Sequence, residues 1–312
     1  MLVGRVRSVH RYPIKSMAGE DLAASDVSEG GLVGDREFAV RDEKAGEIRG
    51  GKKLPRLMLL RAQYMGEPAP SSVTAPVAIT FPDGATVQST DADVASRLSD
   101  WLGRVVTLHP RAPASDKEHY RRVLPGASLA GFLARADLLR KVVARLSTLG
   151  PAGADLRRDF GREPGESLPD LSVFPAEIFE FVSPLGTYFD AYPIHLITTA
   201  SLAALRAKSP DAAWDARRFR PNLVVETTPE LSGLVESGWG ARALSIGELV
   251  LECTVPTPRC SMVAQPQPEL AKDPRILRTI VHEANQCLGV YARVVKGGTV
   301  RIGDPVELRG GS

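Results

Sequence analysis

The chain has 312 residues with 39 Lys+Arg against 37 Asp+Glu, a formal net charge of +2, which excludes a bulk electrostatic grip on nucleic acid or anionic lipid. With 43% hydrophobic and 24% charged residues, it reads as an ordinary globular chain, long enough for a sizeable core in one large domain or two smaller ones. No apolar stretch approaches the ~18–20 residues that cross a bilayer. The start, Met1-Leu2-Val3-Gly4-Arg5, lacks the basic-then-apolar layout of a signal peptide, so a cytoplasmic protein without a membrane span is expected. Cys253, Cys260 and Cys287, spaced by 7 and 27, fit neither a disulfide framework nor a zinc pattern.

In chain order, Val3, Val6 and Val9 predict a first strand, residues 37–40 a second and 57–64 a third. Residues 77–81 and 85–88 predict a hairpin about Pro82-Asp83-Gly84. A helix follows, with Thr90 as N-cap, Val94, Leu98, Trp101 and Leu102 on its apolar face, and Gly103 as its stop. Residues 104–108 form another strand, and 110–126 a connection. Leu129, Phe132, Leu133, Ala136, Leu139, Val143 and Leu146 recur at helical spacing. We read them as a core-facing helix with a solvated basic back rather than a membrane-surface element. Residues 150–175, rich in Gly, Pro and charge, predict a long loop, an insertion or lid. Thr198 or Thr199 then caps a helix through Leu205, residues 223–226 and 243–255 read as strands, and Asp273-Pro274 opens a well-marked helix. Residues 290–295 and 299–308 close the chain as a hairpin about Gly297-Gly298.

Many short strands, few helices and no βαβα alternation indicate a mainly β, barrel or α+β architecture. Domain limits of 1–110, 111–176 and 177–312 follow from the shifts in composition. There is no Gly-x-Gly-x-x-Gly, Walker A or Gly-x-Ser-x-Gly sequence. His282-Glu283 is followed by Gln286 where a zinc protease needs a second histidine, and the five histidines do not cluster.

Four segments carry more chemistry than packing needs: Arg11-Tyr12-Pro13-Ile14-Lys15-Ser16, Gly34-Asp35-Arg36-Glu37-Phe38, Arg218-Phe219-Arg220-Pro221-Asn222 and Pro256-Thr257-Pro258-Arg259-Cys260. Together they form a set of anion-binding groups plus one soft ligand. Lys acts as a point charge for phosphate, Arg forks onto phosphate or a carbonyl-rich ring, and Ser and Asn add oriented hydrogen bonds. A cysteine beside a fixed arginine favours the thiolate, the form that binds metal or attacks.

These segments, with the terminal Gly303-Asp304-Pro305-Val306, resemble the MOSC superfamily, the C-terminal domain type of molybdenum cofactor sulfurase, joined to its N-terminal β-barrel partner domain. The layout is similar to that of the mitochondrial amidoxime-reducing components. The resemblance implies a MOSC barrel packed on a barrel-like N-terminal domain, with residues 111–176 inserted. It further implies a molybdenum–molybdopterin cofactor between the domains, and no pyridoxal phosphate. Carried over by position, Lys15, Ser16 and Arg36 hold the phosphate end, Thr199 and Ser201 add hydrogen bonds at a helix start, Arg220, Asn222 and Arg259 support the cofactor, and Cys260 binds the metal and is the catalytic residue. The run 262–269 departs from the Asp-Pro and Thr-Gly that relatives often carry after the cysteine, which bears on the substrate-side hydrogen bonds and the electron path. The implied activity is reduction of an N-oxygenated or related small substrate, with electrons from a separate protein. Two alternatives stay open: a sulfur carrier holding a persulfide on Cys260, or a cofactor carrier without turnover.

Overall fold

The computed structural model describes residues 1–69, 75–123, 150–175 and 177–310. Its first strand, β1 (Leu2–Arg11), pairs with two strands far off in the sequence, β12 (Leu223–Thr227) and β17 (Pro305–Leu308). Register shifts between Leu2 and Gly4 and between Val6 and Ser8 break the two-residue alternation, so Val3, Val6 and Val9 all face the core although spaced by three. These pairings close a seven-stranded barrel. Around it, β12 is followed by β11 (Ile194–Thr198), β15 (Cys287–Lys296), β14 (Leu249–Pro258), β13 (Ala243–Ile246), β17 and β1. Only β11 and β12 run parallel, and the helix Thr199–Lys208 (called α5 below) lies in their crossover. Leu196, Leu223, Leu244, Leu251, Val290 and Val306 fill the interior, each contributing about 1.5–3 kcal/mol by leaving water.

A second lobe is built from β5 (Phe38–Asp42), β6 (Glu47–Ile48) and β10 (Val106–Pro110) in one sheet, and β7 (Arg61–Tyr64), β8 (Val77–Thr80) and β9 (Thr86–Gln88) in another. The helix α1 (Val94–Leu102) covers them, and Ile14, Val40, Leu57, Ile79, Leu98 and Val106 form their common core. Gly103, at φ 65°, ends α1 in the left-handed conformation that a side chain disfavours. The mainly β, α+β architecture expected from the sequence is the one observed. Three short strands, β3 (Ala24–Ser28), β4 (Gly31–Leu32) and β16 (Gly298–Arg301), make a further sheet, while β2 (Glu20–Leu22) extends the barrel sheet beside β1.

Several elements differ from the sequence reading. Residues 57–64 divide into a 3-10 turn at Pro55–Leu59 and β7, because Pro55 pre-sets the turn. The helix expected from Thr90 starts at Val94, because the Asp91 carboxylate accepts from Gln88 N at 2.8 Å and holds a turn there. Residues 150–175 open with a helix, α3 (Gly150–Phe160), where a loop was expected; α2 is the short Lys117–Tyr120 and α4 Glu177–Glu180. Gly247, at φ 57°, splits 243–255 into β13 and β14. The closing hairpin does not form: β16 pairs with β3, and β17 with β1 and β13. The last helix, α6 (Pro274–Glu283), starts as expected, with the Asp273 side chain accepting from Arg275 N. The helix expected at 129–146 lies outside the described residues.

Candidate functional site

Between the barrel and the second lobe runs the segment after β1, carrying Tyr12, Lys15 and Ser16. Tyr12 reaches the barrel through its hydroxyl, which donates to Pro221 O at 3.0 Å. Lys15 N donates to Phe38 O in the other lobe. Asp35 is the hub of this seam. Its buried carboxylate accepts from Tyr12 N at 2.7 Å and from Asn222 Nδ2 at 3.1 Å, and pairs with the Arg36 guanidinium. Asn222 in turn accepts from His195 N at 3.1 Å. Three sequence segments far apart in the chain therefore meet at one carboxylate.

The backbone is strained there. Ser16, Arg36 and Arg220 have φ of 70°, 54° and 53°. Non-glycine residues in the left-handed region cost roughly 1–3 kcal/mol each and persist only where surrounding contacts fix them. Ser16 Oγ accepts from Gly51 N at 2.8 Å. Lys15 Nζ donates to Tyr188 O and Asp190 Oδ1, both at 2.8 Å. Burial lowers the Lys15 pKa, with Asp190 opposing it. For Asp190, burial raises the pKa, but Lys15 and Arg36 outweigh it and hold the carboxyl well below the usual range.

Arg36 and Arg220 both lie over the Tyr12 ring, at 5.4 and 4.3 Å from its centroid. Arg220 Nη1 donates to Met17 O, whereas Nη2 is buried with no acceptor among the described residues. Burial, and after it the Arg36 charge, push the Arg220 pKa down to about 10. Two crowded guanidinia with an orphaned donor form a site that an anion would complete.

The chain of contacts continues to Arg259, the residue before Cys260. His195 Nδ1 lies 3.4 Å from Arg220 O, and its Nε2 2.5 Å from Arg259 Nη2. A guanidinium only donates, so Nε2 is the acceptor and the proton sits on Nδ1. Gly289, at φ 86°, makes room for this pair, since a Cβ there would lie 2.4 Å from His195 Nε2. Arg259 is buried and also donates to Leu288 O and Phe219 O. Cys260 follows it in extended backbone at the end of β14, half-buried, at the head of the 3-10 turn Ser261–Ala264. By contrast, Cys253 is fully buried, its thiol pushed up to about 12 by burial. Burial also raises Cys287.

Burial, then the Arg259 charge, holds His195 well below the ordinary imidazole range. The unfolded chain, titrating near 6.5, therefore takes up a proton that the folded protein refuses. Stability falls as pH drops below about 6.5, by up to ~1.4 kcal/mol per unit from this residue. Urea midpoints of the native protein and His195→Gln between pH 7 and 5 are expected to show the shallower slope in the variant.

The structure thus brings together Lys15, Ser16, Arg36, Arg220, Asn222, Arg259 and Cys260. It does not bring Thr199 and Ser201 to them. Both lie in α5, beyond the end of β11 at Thr198, itself about 10 Å from His195 along the strand at strand rise. Thr199 Oγ1 meets Thr227, accepting from its N at 3.1 Å, and Ser201 Oγ donates to the buried Glu236 carboxylate at 2.5 Å. Thr198 is the cap of α5, accepting from Ser201 N. Hydroxyls at that helix start hold the helix. Sequence reasoning missed Asp35 as the hub, together with Tyr12, His195 and Asp190. The signal for Asp190 was a lone acid in Phe189-Asp190-Ala191-Tyr192-Pro193, just before the apolar run of β11.

Among the described residues no helix is long and apolar enough to cross a membrane. Comparison with known proteins matches residues 3–103 to the MOSC N-terminal beta barrel domain and 186–307 to the MOSC domain. Mitochondrial amidoxime reducing component 2 of Rattus norvegicus is 25% identical over 97% of this chain and 83% of its own length. Among solved structures, the YUAD protein of Bacillus subtilis aligns over 98% of this chain and 95% of its own, with 11% identity and a TM-score of 0.41. YiiM of Geobacillus stearothermophilus aligns over 38% of this chain, with 17% identity and a TM-score of 0.30, and the match spans 55% of the YiiM chain. With its N-terminal barrel domain, its MOSC domain and the amidoxime-reducing relative matched across nearly its whole length, the chain belongs to the MOSC superfamily.

Proposed function

We propose that this protein is a molybdenum-cofactor-dependent oxidoreductase that reduces N-oxygenated or related small substrates, with Cys260 as the ligand to the metal. The observation that carries the reading is the cluster of Arg36 and Arg220 over Tyr12 with its orphaned Nη2, joined through His195 to Arg259 and Cys260. It offers an anion site and a soft ligand on one contact chain, which is what a phosphate-bearing, metal-carrying cofactor requires. Among the described residues no three His, Cys, Asp or Glu side chains lie together as a metal cluster, and a single thiol suits a metal that arrives with a chelating ligand of its own.

Lys15, Ser16, Arg36 and Arg220 would hold the anionic end, Asp35 and Asn222 would fix their geometry, and Cys260 would bind the molybdenum. The cofactor, when bound, supplies the two-electron oxygen-atom exchange that side chains cannot perform. The neutral His195 keeps Arg259 fixed as its hydrogen-bond donor, and Arg259 in turn holds the backbone that presents Cys260. Electrons would come from a separate donor protein. The name of the Rattus norvegicus relative points to amidoximes as the first substrates to try.

With a reduced viologen as electron source and benzamidoxime as substrate, the cofactor-loaded protein is expected to turn over, and Cys260→Ser to be slower by at least ~100-fold. Equal rates for the two proteins would reject Cys260 as the ligand.

A further inference from the structure

We infer that Arg162 is a positioning residue for Cys260, holding the turn that presents the thiol; the inference rests on the functional reading above. Arg162 belongs to residues 150–175, outside both matched domains. It is buried, and all three guanidinium nitrogens are engaged. Nη2 donates to Arg259 O at 3.0 Å, Nε to Gln286 Oε1 at 2.9 Å and Nη1 to Phe160 O at 2.6 Å. On the other side of the thiol, Ser261 Oγ donates to Asp159 O at 2.9 Å. Both neighbours of Cys260 are therefore tied to the four-residue step from Asp159 to Arg162. Gly161 sits in that step at φ 61°, and a Cβ there would meet Ser261 Cβ at 3.2 Å, so the step lies directly against the turn.

The step is itself anchored at both ends of the seam. Asp159 pairs with Lys53 of the second lobe at 2.9 Å, and Arg278 of α6 bonds Gly161 O and the Glu166 carboxylate. Gln286, in left-handed backbone at φ 68°, carries the grip onward: its carbonyl accepts from Arg259 N at 2.8 Å and its Nε2 donates to Ser167 Oγ at 3.1 Å.

No carboxylate lies within ion-pair distance of Arg162 among the described residues. A buried guanidinium held only by neutral oxygens is a poor device for stability. It is a good one for geometry, because the planar fork fixes three acceptors at once in a way that a lysine does not. Of the charged groups around it, the Glu166 carboxylate acts most strongly and the Arg278 guanidinium opposes it.

The test compares native protein, Arg162→Lys and Arg162→Gln. Amide hydrogen exchange over residues 258–265 is measured on protein from a host unable to make the cofactor, and molybdenum retention on dilution is measured on protein from a competent host. Both variants are expected to exchange at least ~10-fold faster in that segment, with β11 and β12 unchanged, and to lose molybdenum ~10–100-fold more readily. Unchanged exchange, or retention restored by lysine, overturns the inference. Faster exchange with native retention also overturns it, by making Arg162 merely structural. Native protein from the competent host that holds no molybdenum rejects the functional reading itself, and the inference with it, without reference to the variants.

Discussion

Asp35→Ala is expected to lower the free energy of unfolding by about 3–5 kcal/mol, the cost of leaving a buried charge without its partner. The substitution strands the Arg36 guanidinium, the Tyr12 N–H and one Asn222 Nδ2 proton in the seam. It thereby undoes a point where three chain segments far apart in sequence are bonded together. Asp35→Asn keeps an acceptor for Tyr12 N and is expected to fall between the two. Urea denaturation of all three proteins measures the effect. A loss below about 1 kcal/mol for Asp35→Ala, the size of an exposed ion pair, would contradict the hub role.

Arg220→Met should behave in the opposite way. The metal-free protein is expected to stay within about 1 kcal/mol of native stability, because losing the bond to Met17 O and the contact with Tyr12 is offset by removing an orphaned donor and a cation crowded by Arg36. Cofactor retention, in contrast, is expected to weaken by about 2–5 kcal/mol, the cost of deleting a charged donor to a buried anion. Stability tells less about this residue than binding does. Thermal unfolding of the metal-free protein and molybdenum loss on dilution of the loaded protein separate the two effects. A collapse in stability with unchanged retention would assign Arg220 to the fold alone.

Residues marked by local punctuation were legible in the sequence. Pro13, Gly34, Pro221 and Pro258 lie within the four segments singled out in the sequence, and the stop of α1 at Gly103 and the start of α6 at Asp273 follow from backbone chemistry within a few residues. Long-range pairing was not legible. Nothing near β1 shows that its partners lie more than two hundred residues away in β12 and β17, nor that β16 leaves its neighbour for β3. The hydroxyls of Thr199 and Ser201 illustrate a second limit. A Thr-rich helix start serves capping and anion binding equally well in sequence, and nothing near it shows that the Thr198 and Ser201 hydroxyls donate to the buried Glu236 carboxylate. Arg162 was hidden because its partners are the carbonyl of Arg259 and the amide of Gln286, groups with no sequence signature.

On the proposed function, Cys260 and the arginine cluster hold a molybdenum cofactor. Molybdenum quantified per chain in native protein and Cys260→Ala, both purified from a cofactor-competent host, tests it most directly. Close to one molybdenum per native chain is expected, with a marked loss in the variant. Native protein free of molybdenum but carrying a persulfide on Cys260 would contradict it and identify a sulfur carrier instead.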